Sequence, residues 1–123
     1  MTAIAAASPQ VSAVTAEHSA CAALGVVPPW RTVTVRGVAL AISDDGRGSP
    51  ALVCLHAIGH GGRDFADLRA HLTPHRRVVT IDWPGQGRSG PDTQPPTAAR
   101  YATLLAGVLD ALAIDRAVLI GNS

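Results

Sequence analysis

Gly121-Asn122-Ser123 follows four apolar residues, Ala117 to Ile120. A serine held at a sharp turn after a buried strand can attack a carbonyl carbon, and the crowded backbone there calls for small neighbours. Alone, the triplet is a weak signal, because loops commonly contain Gly-x-Ser. A second stretch, Leu55-His56-Ala57-Ile58-Gly59-His60-Gly61-Gly62, follows another apolar run, Ala51 to Leu55. Backbone N–H groups in such a loop can face the negative oxygen that develops when a nucleophile adds to a carbonyl. A tight strand-to-helix connection would need the same glycines. His56 could act as a general base, but a histidine at a strand end more often orders loop backbone, and that role is preferred. Asp82 ends a third apolar run on the side where sites of α/β sheets assemble. Its expected part is to cap the loop that it opens.

Other patterns carry less. Gly85-Gln-Gly87-Arg-Ser-Gly90 matches the dinucleotide fingerprint, and Asp110 follows about 20 residues on. Pro91, Pro95 and Pro96 prevent a helix from opening there, and Asp110 falls inside a helical pattern rather than at a strand end. The nucleotide site is therefore set aside. His60, His71 and His75 are expected at the surface, and with His56 they make no metal-ligand spacing. No metal and no cofactor is expected.

These residues need a scaffold, and the hydrophobic pattern supplies one. Thr32–Val35 and Val38–Ile42 flank Arg36-Gly37 as an antiparallel hairpin. Ser43–Pro50 (SDDGRGSP) reads as a loop. Ala51–Leu55, Arg77–Ile81 and Ala117–Ile120 are short continuous apolar runs, the mark of parallel strands covered on both faces. Phe65, Leu68 and Leu72 make one helical stripe ending before Pro74. Tyr101, Leu104, Leu105, Val108, Leu109 and Leu112 make a stronger one, capped by Thr97. Alternating strands and helices imply a mostly parallel sheet with helices on its faces.

The chain of 123 residues is 47% hydrophobic and 15% charged, with a net charge of +1. That composition fits one globular domain at most. The near-zero charge gives no reason to expect nucleic acid or an anionic membrane as partner, and no run of about 18 apolar residues could span a bilayer. Cys21 and Cys54 form no disulfide framework, and Cys54 reads as a buried free thiol in a reducing compartment. The Ala-rich start lacks the charged and apolar regions of a signal peptide, so a cytoplasmic chain is expected. Residues 1–29 read as a flexible Ala-rich extension, and 30–123 as the domain.

Taken together, Leu55-His56 with its glycine loop, Asp82-Trp-Pro-Gly-Gln-Gly-Arg-Ser89, the helix 97–112 and Val118-Leu-Ile-Gly-Asn-Ser123 resemble the N-terminal part of an α/β-hydrolase. The resemblance covers residues 30–123. It implies Ser123 as nucleophile and the backbone of Ile58, with Ala57 beside it, as oxyanion donors. His56, Gly59, Asp82 and Gly121 support the site. The family commonly has glycine where Ala57 stands. Serine rather than aspartate at the elbow disfavours the dehalogenase and epoxide-hydrolase branches. Asn122 before it resembles carbon–carbon bond hydrolases and related esterases.

The resemblance further implies an ester, amide or C–C bond of a small molecule as target, with the acid and histidine following the serine. The 123-residue chain alone is then expected to be an incomplete α/β fold. Its last strand would have a bare apolar outer edge, and it would be poorly stable and inactive. The alternative is a non-catalytic α/β remnant or interaction module.

Overall fold

The computed structural model describes Thr2–Ala5 and residues 30–123. Five strands come from the C-terminal part of the chain: β2 (Arg31–Val35), β3 (Val38–Asp45), β4 (Ala51–Leu55), β5 (Val78–Ile81) and β6 (Arg116–Gly121). With β1 (Thr2–Ala5) they form one mixed sheet in the order β1-β6-β4-β5-β3-β2. A 3-10 turn (Gly62–Phe65) runs into α1 (Ala66–Leu72), and α2 (Ala98–Ala111) precedes β6.

The three central strands are parallel and carry the apolar runs that the sequence displays. Ala51 to Cys54 and all of β5 are buried, as strands covered on both faces must be. From β4 the chain steps to β5 and then back past β4 to β6. Right-handed crossovers in opposite directions place their helices on opposite faces of the sheet. Side-chain alternation matches this. Ala51 and Val53 pack in the cluster that contains Leu104, Val108 and Leu109 of α2. Leu52 and Cys54 pack with Phe65 and, at its margin, Leu68 and Leu72 of α1.

The α2 face is the larger core. Leu104 and Val108 are fully buried, and burying one such side chain contributes about 2 kcal/mol. Thr97 caps the helix by accepting the Arg100 N–H at 3.0 Å, so the helix starts where the sequence places it.

Two differences from expectation have clear causes. Ser43, Asp44 and Asp45 are not loop but the buried end of β3, paired with β5. Polar side chains are tolerated there because they are partnered: Ser43 bonds Thr80, and Asp44 receives both arms of the Arg77 guanidinium at 2.9 and 2.7 Å. Arg77 Nη2 also reaches the Leu112 carbonyl at 3.3 Å, tying the sheet to the end of α2.

The second difference is the outer edge of β6. It is not bare: β1 pairs with it antiparallel, from Thr2↔Leu119 to Ala5↔Arg116. An apolar edge with free N–H and C=O groups is a template for a further strand, and here the chain's own residues supply it. Thr2–Ala5 lies within the segment expected to be a flexible extension. The rest of that segment, Cys21 included, lies outside the described residues.

Candidate active site

The register of the parallel strands brings the sequence candidates together. Leu55 pairs with Ile81 on one side and with Gly121 on the other, so β4, β5 and β6 end at one level. The three loops that follow therefore emerge side by side at the C-terminal edge of the sheet. Asn122 extends the ladder by donating its N–H to the Leu55 carbonyl at 3.2 Å. Ser123 comes next and is exposed.

That loop is tightly specified. The Ala57 carbonyl accepts the His60 N–H at 3.0 Å, closing a four-residue turn, and Gly59 at its third position has φ +84°. A type II turn requires that backbone, and glycine adopts it without strain. His56 is 3% exposed, and its Nδ1 donates to the same Ala57 carbonyl at 2.7 Å. Its Nε2 accepts the Trp83 N–H at 2.9 Å. The imidazole is thus neutral with its proton on Nδ1, and both nitrogens are occupied. Ile58 projects outward, 71% exposed.

The loop after β5 grips the loop after β4. Asp82, 2% exposed, accepts the Gly62 N–H on Oδ1 at 2.6 Å and the Arg88 N–H on Oδ2 at 2.8 Å. Charge-assisted bonds to two backbone donors make this buried carboxylate tolerable. Gly87 lies against it with φ +53°; a Cβ there would stand 2.1 Å from Asp82 Oδ2, so only glycine fits. Ser89 Oγ donates to the Asp82 carbonyl at 2.6 Å and accepts the Ala41 N–H at 2.8 Å. Asp82 therefore orders both its own loop and its neighbour.

Three side chains complete the arrangement without having been singled out from the sequence. The Trp83 indole N–H donates to the His56 carbonyl at 3.2 Å, and its ring stacks on Tyr101 at 4.3 Å and 15°. Gln86 accepts the Gly59 N–H at 2.6 Å and donates to the Tyr101 hydroxyl at 3.2 Å. Tyr101 sits on the apolar stripe of α2 and reads as core from spacing alone. Trp83 and Gln86 sit in a Gly/Pro-rich loop where composition says only "turn". The one available signal was their position between Asp82 and Ser89.

Other titratable groups are structural. Burial pushes the Cys54 thiol up to about 12, with nearby Arg69 opposing the shift, so it stays a thiol at neutral pH. His60 Nδ1 lies 2.7 Å from Asp64 Oδ2 as an exposed pair at the start of the 3-10 turn. His71 is exposed and bonds the Asp67 carbonyl; His75 is exposed too. Among the described residues, no group of three or more His, Cys, Asp or Glu could hold a metal ion. No helix opens after Gly90, and the Gly85 and Gly90 amides are spent on the Gly90 and Ala39 carbonyls. Nothing there could cradle a pyrophosphate. No described helix is long and apolar enough to cross a membrane.

A sheet of this order, with a glycine loop after one central strand and Gly-x-Ser at the end of the next, defines an α/β fold built around a strand-end site. The chain belongs to the alpha/beta hydrolase family, whose sequence profile matches residues 52–123. It is similar to a 2-hydroxy-6-oxononadienedioate/2-hydroxy-6-oxononatrienedioate hydrolase of Burkholderia vietnamiensis, 41% identical over 88 residues, 66% of this chain and 30% of the relative. A 2-hydroxy-6-oxo-2,4-heptadienoate hydrolase of Pseudomonas putida is 38% identical over 101 residues, 76% of this chain and 35% of the relative. Among solved structures, the enol-lactonase from Burkholderia xenovorans LB400 superimposes with a TM-score of 0.71 at 29% identity, covering 76% of this chain and 37% of that one. The chain thus spans about a third of the length of the curated relatives it matches.

Proposed function

We propose that this chain carries the nucleophile and oxyanion loop of a cytoplasmic serine hydrolase, acting on a small molecule of the 2-hydroxy-6-oxo-dienoate class. The observation that supports this best is the shared register of Leu55 and Gly121, which ends β4 and β6 at one level, so that the Ala57–Ile58 loop and Gly121-Asn122-Ser123 leave the sheet from neighbouring strands. In that reaction Ser123 Oγ adds to the carbonyl carbon and loses its proton to a base. The carbonyl oxygen becomes an oxyanion that accepts the Ile58 N–H. The kinship with hydrolases of 6-oxo acids favours a ketone carbonyl and C–C cleavage over an ester or amide. The enol-lactonase keeps an ester-type bond as the nearest competitor.

A base is still required, because an unassisted serine hydroxyl is a poor nucleophile. His56 cannot serve, since both its nitrogens are committed to the backbone. In the chain order of this fold the acid and the histidine follow the serine, so turnover requires residues beyond position 123.

One observation favours a second reading. Pairing of β1 along β6 covers the edge that a further strand would otherwise occupy, as a self-contained, non-catalytic α/β module would do. The coding DNA past Ser123 separates the two. An x-Gly-Gly continuation followed by an aspartate and a late histidine is expected; an in-frame stop at that point refutes the enzyme. In the product of the whole reading frame, a fluorophosphonate probe should label the protein, and Ser123→Ala should abolish both labelling and hydrolysis.

A further inference from the structure

An oxyanion donor that is a backbone N–H can be aimed only by aiming its peptide plane. In a planar trans peptide the C=O and the N–H point in opposite directions. Whatever grips the Ala57 carbonyl therefore sets the direction of the Ile58 N–H. Two donors grip it: the His60 N–H at 3.0 Å and His56 Nδ1 at 2.7 Å. The first merely closes the turn. The second is a side-chain bond open to one tautomer only, and the Trp83 N–H at 2.9 Å from Nε2 enforces that tautomer. The ring is 3% exposed, so water competes poorly for either bond. Among the described residues the Ile58 N–H takes part in no hydrogen bond of the loop, while its neighbours His60 and Gly59 donate theirs to protein oxygens.

We propose that His56 is a positioning residue for the reaction. With its proton on Nδ1 it holds the Ala57 carbonyl inward and thereby presents the Ile58 N–H to the oxyanion formed at Ser123. This rests on the serine-hydrolase function proposed above. It takes no proton from the substrate and moves none. A purely structural histidine would need only to fill its cavity and accept the Trp83 N–H. The two roles therefore depend on different ring nitrogens.

Two amide substitutions separate those nitrogens. Asparagine can set an N–H near the place of Nδ1, keeping the grip on Ala57 and dropping the Trp83 bond. Glutamine can set an oxygen near the place of Nε2, doing the reverse. In the product of the whole reading frame, His56→Asn should keep kcat within about fivefold, whereas His56→Gln should lose about 100-fold in kcat with KM little changed, as when an oxyanion donor is misdirected. The 15N resonances of the wild-type imidazole should show the proton on Nδ1, a measurement that needs no variant to fold. A proton on Nε2, or a glutamine variant as active as the asparagine one, overturns the proposal. Hydrolysis that survives Ser123→Ala removes the serine mechanism and this role together. Hydrolysis that needs Ser123 but is indifferent to the choice between asparagine and glutamine removes the positioning role alone.

Discussion

Asp82 Oδ1 accepts the Gly62 N–H at 2.6 Å across 20 residues of sequence, and the same buried carboxylate binds Arg88 N–H through its other oxygen. One side chain thus joins the loop after β4 to the loop after β5. Asp82→Ala strands the buried Gly62 N–H and removes the acceptor of the part-buried Arg88 N–H, and should cost about 2 kcal/mol of stability or more. Asp82→Asn keeps one acceptor but turns an NH2 group toward the other donor, and should cost about 2 kcal/mol. Urea unfolding would measure both; an alanine variant within about 0.5 kcal/mol of wild type would show that water replaces the carboxylate freely.

Gln86 makes a different kind of link, from an exposed turn to the Tyr101 hydroxyl. Gln86→Leu removes the acceptor of the Gly59 N–H, but Gly59 lies at the surface where water can take over. Global stability should fall by no more than about 1 kcal/mol. Amide hydrogen exchange at Gly59 should nevertheless accelerate, because the turn loses its outer tether. Unchanged exchange there would mean that the Ala57–His60 turn holds itself.

The tether of the long loop before α2 should be sensitive to acid. Arg100 forms two bonds to Asp92, at 2.8 and 2.9 Å, and holds the Asp92 carboxyl below the usual carboxylate range. A carboxyl depressed on folding binds fewer protons in the native than in the unfolded state. Its contribution is therefore complete above its ordinary pKa, about 4, and is lost as pH falls through the folded value. Thermal melts of wild type and Asp92→Asn should differ at pH 6, and the gap should close as the pH falls below the ordinary carboxylate range. A gap that stays constant with pH would assign the difference to packing instead.

The sequence discloses the parts of this fold whose signal is local. Continuous apolar runs mark β4 and β5 because a doubly covered strand must be apolar throughout, and β6 carries the same kind of run although only its Ala117 is buried and Val118, Leu119 and Ile120 are half-buried. The spacing of Leu104, Val108 and Leu109 and the cap at Thr97 mark α2 for the same kind of reason. What depends on distant partners stays hidden. Ser43, Asp44 and Asp45 have loop composition, and only Thr80 and Arg77 make them a strand end. Strand β1 has no pattern of its own, since its pairing is set by the edge it meets. In the site, Ser123, His56 and Asp82 are visible as residue types after strands. The links through Trp83, Gln86 and Tyr101 are not, because a cross-loop hydrogen bond leaves no periodicity.

Behind the α1 face lies a charged pair that the core could dispense with. Arg69 Nη2 stands 3.8 Å from Asp45 Oδ2, and both side chains are 6% exposed. Among the described residues, Arg69 Nε and Asp45 Oδ2 have no hydrogen-bond partner, although Asp45 Oδ1 accepts the Gly46 N–H at 2.8 Å. Burial pulls the Arg69 guanidinium below its usual range, with Asp45 opposing the shift. Coulomb attraction without good hydrogen bonds rarely repays the desolvation of two ions. Arg69→Met alone leaves a buried carboxylate without its cation and should cost about 3 kcal/mol. Adding Asp45→Asn removes that charge while keeping the acceptor for Gly46, and should restore at least about half of the loss. A double-mutant cycle by urea unfolding reads the coupling directly. If the two losses simply add, the ions do not sense each other, and the pair is held in place by packing alone.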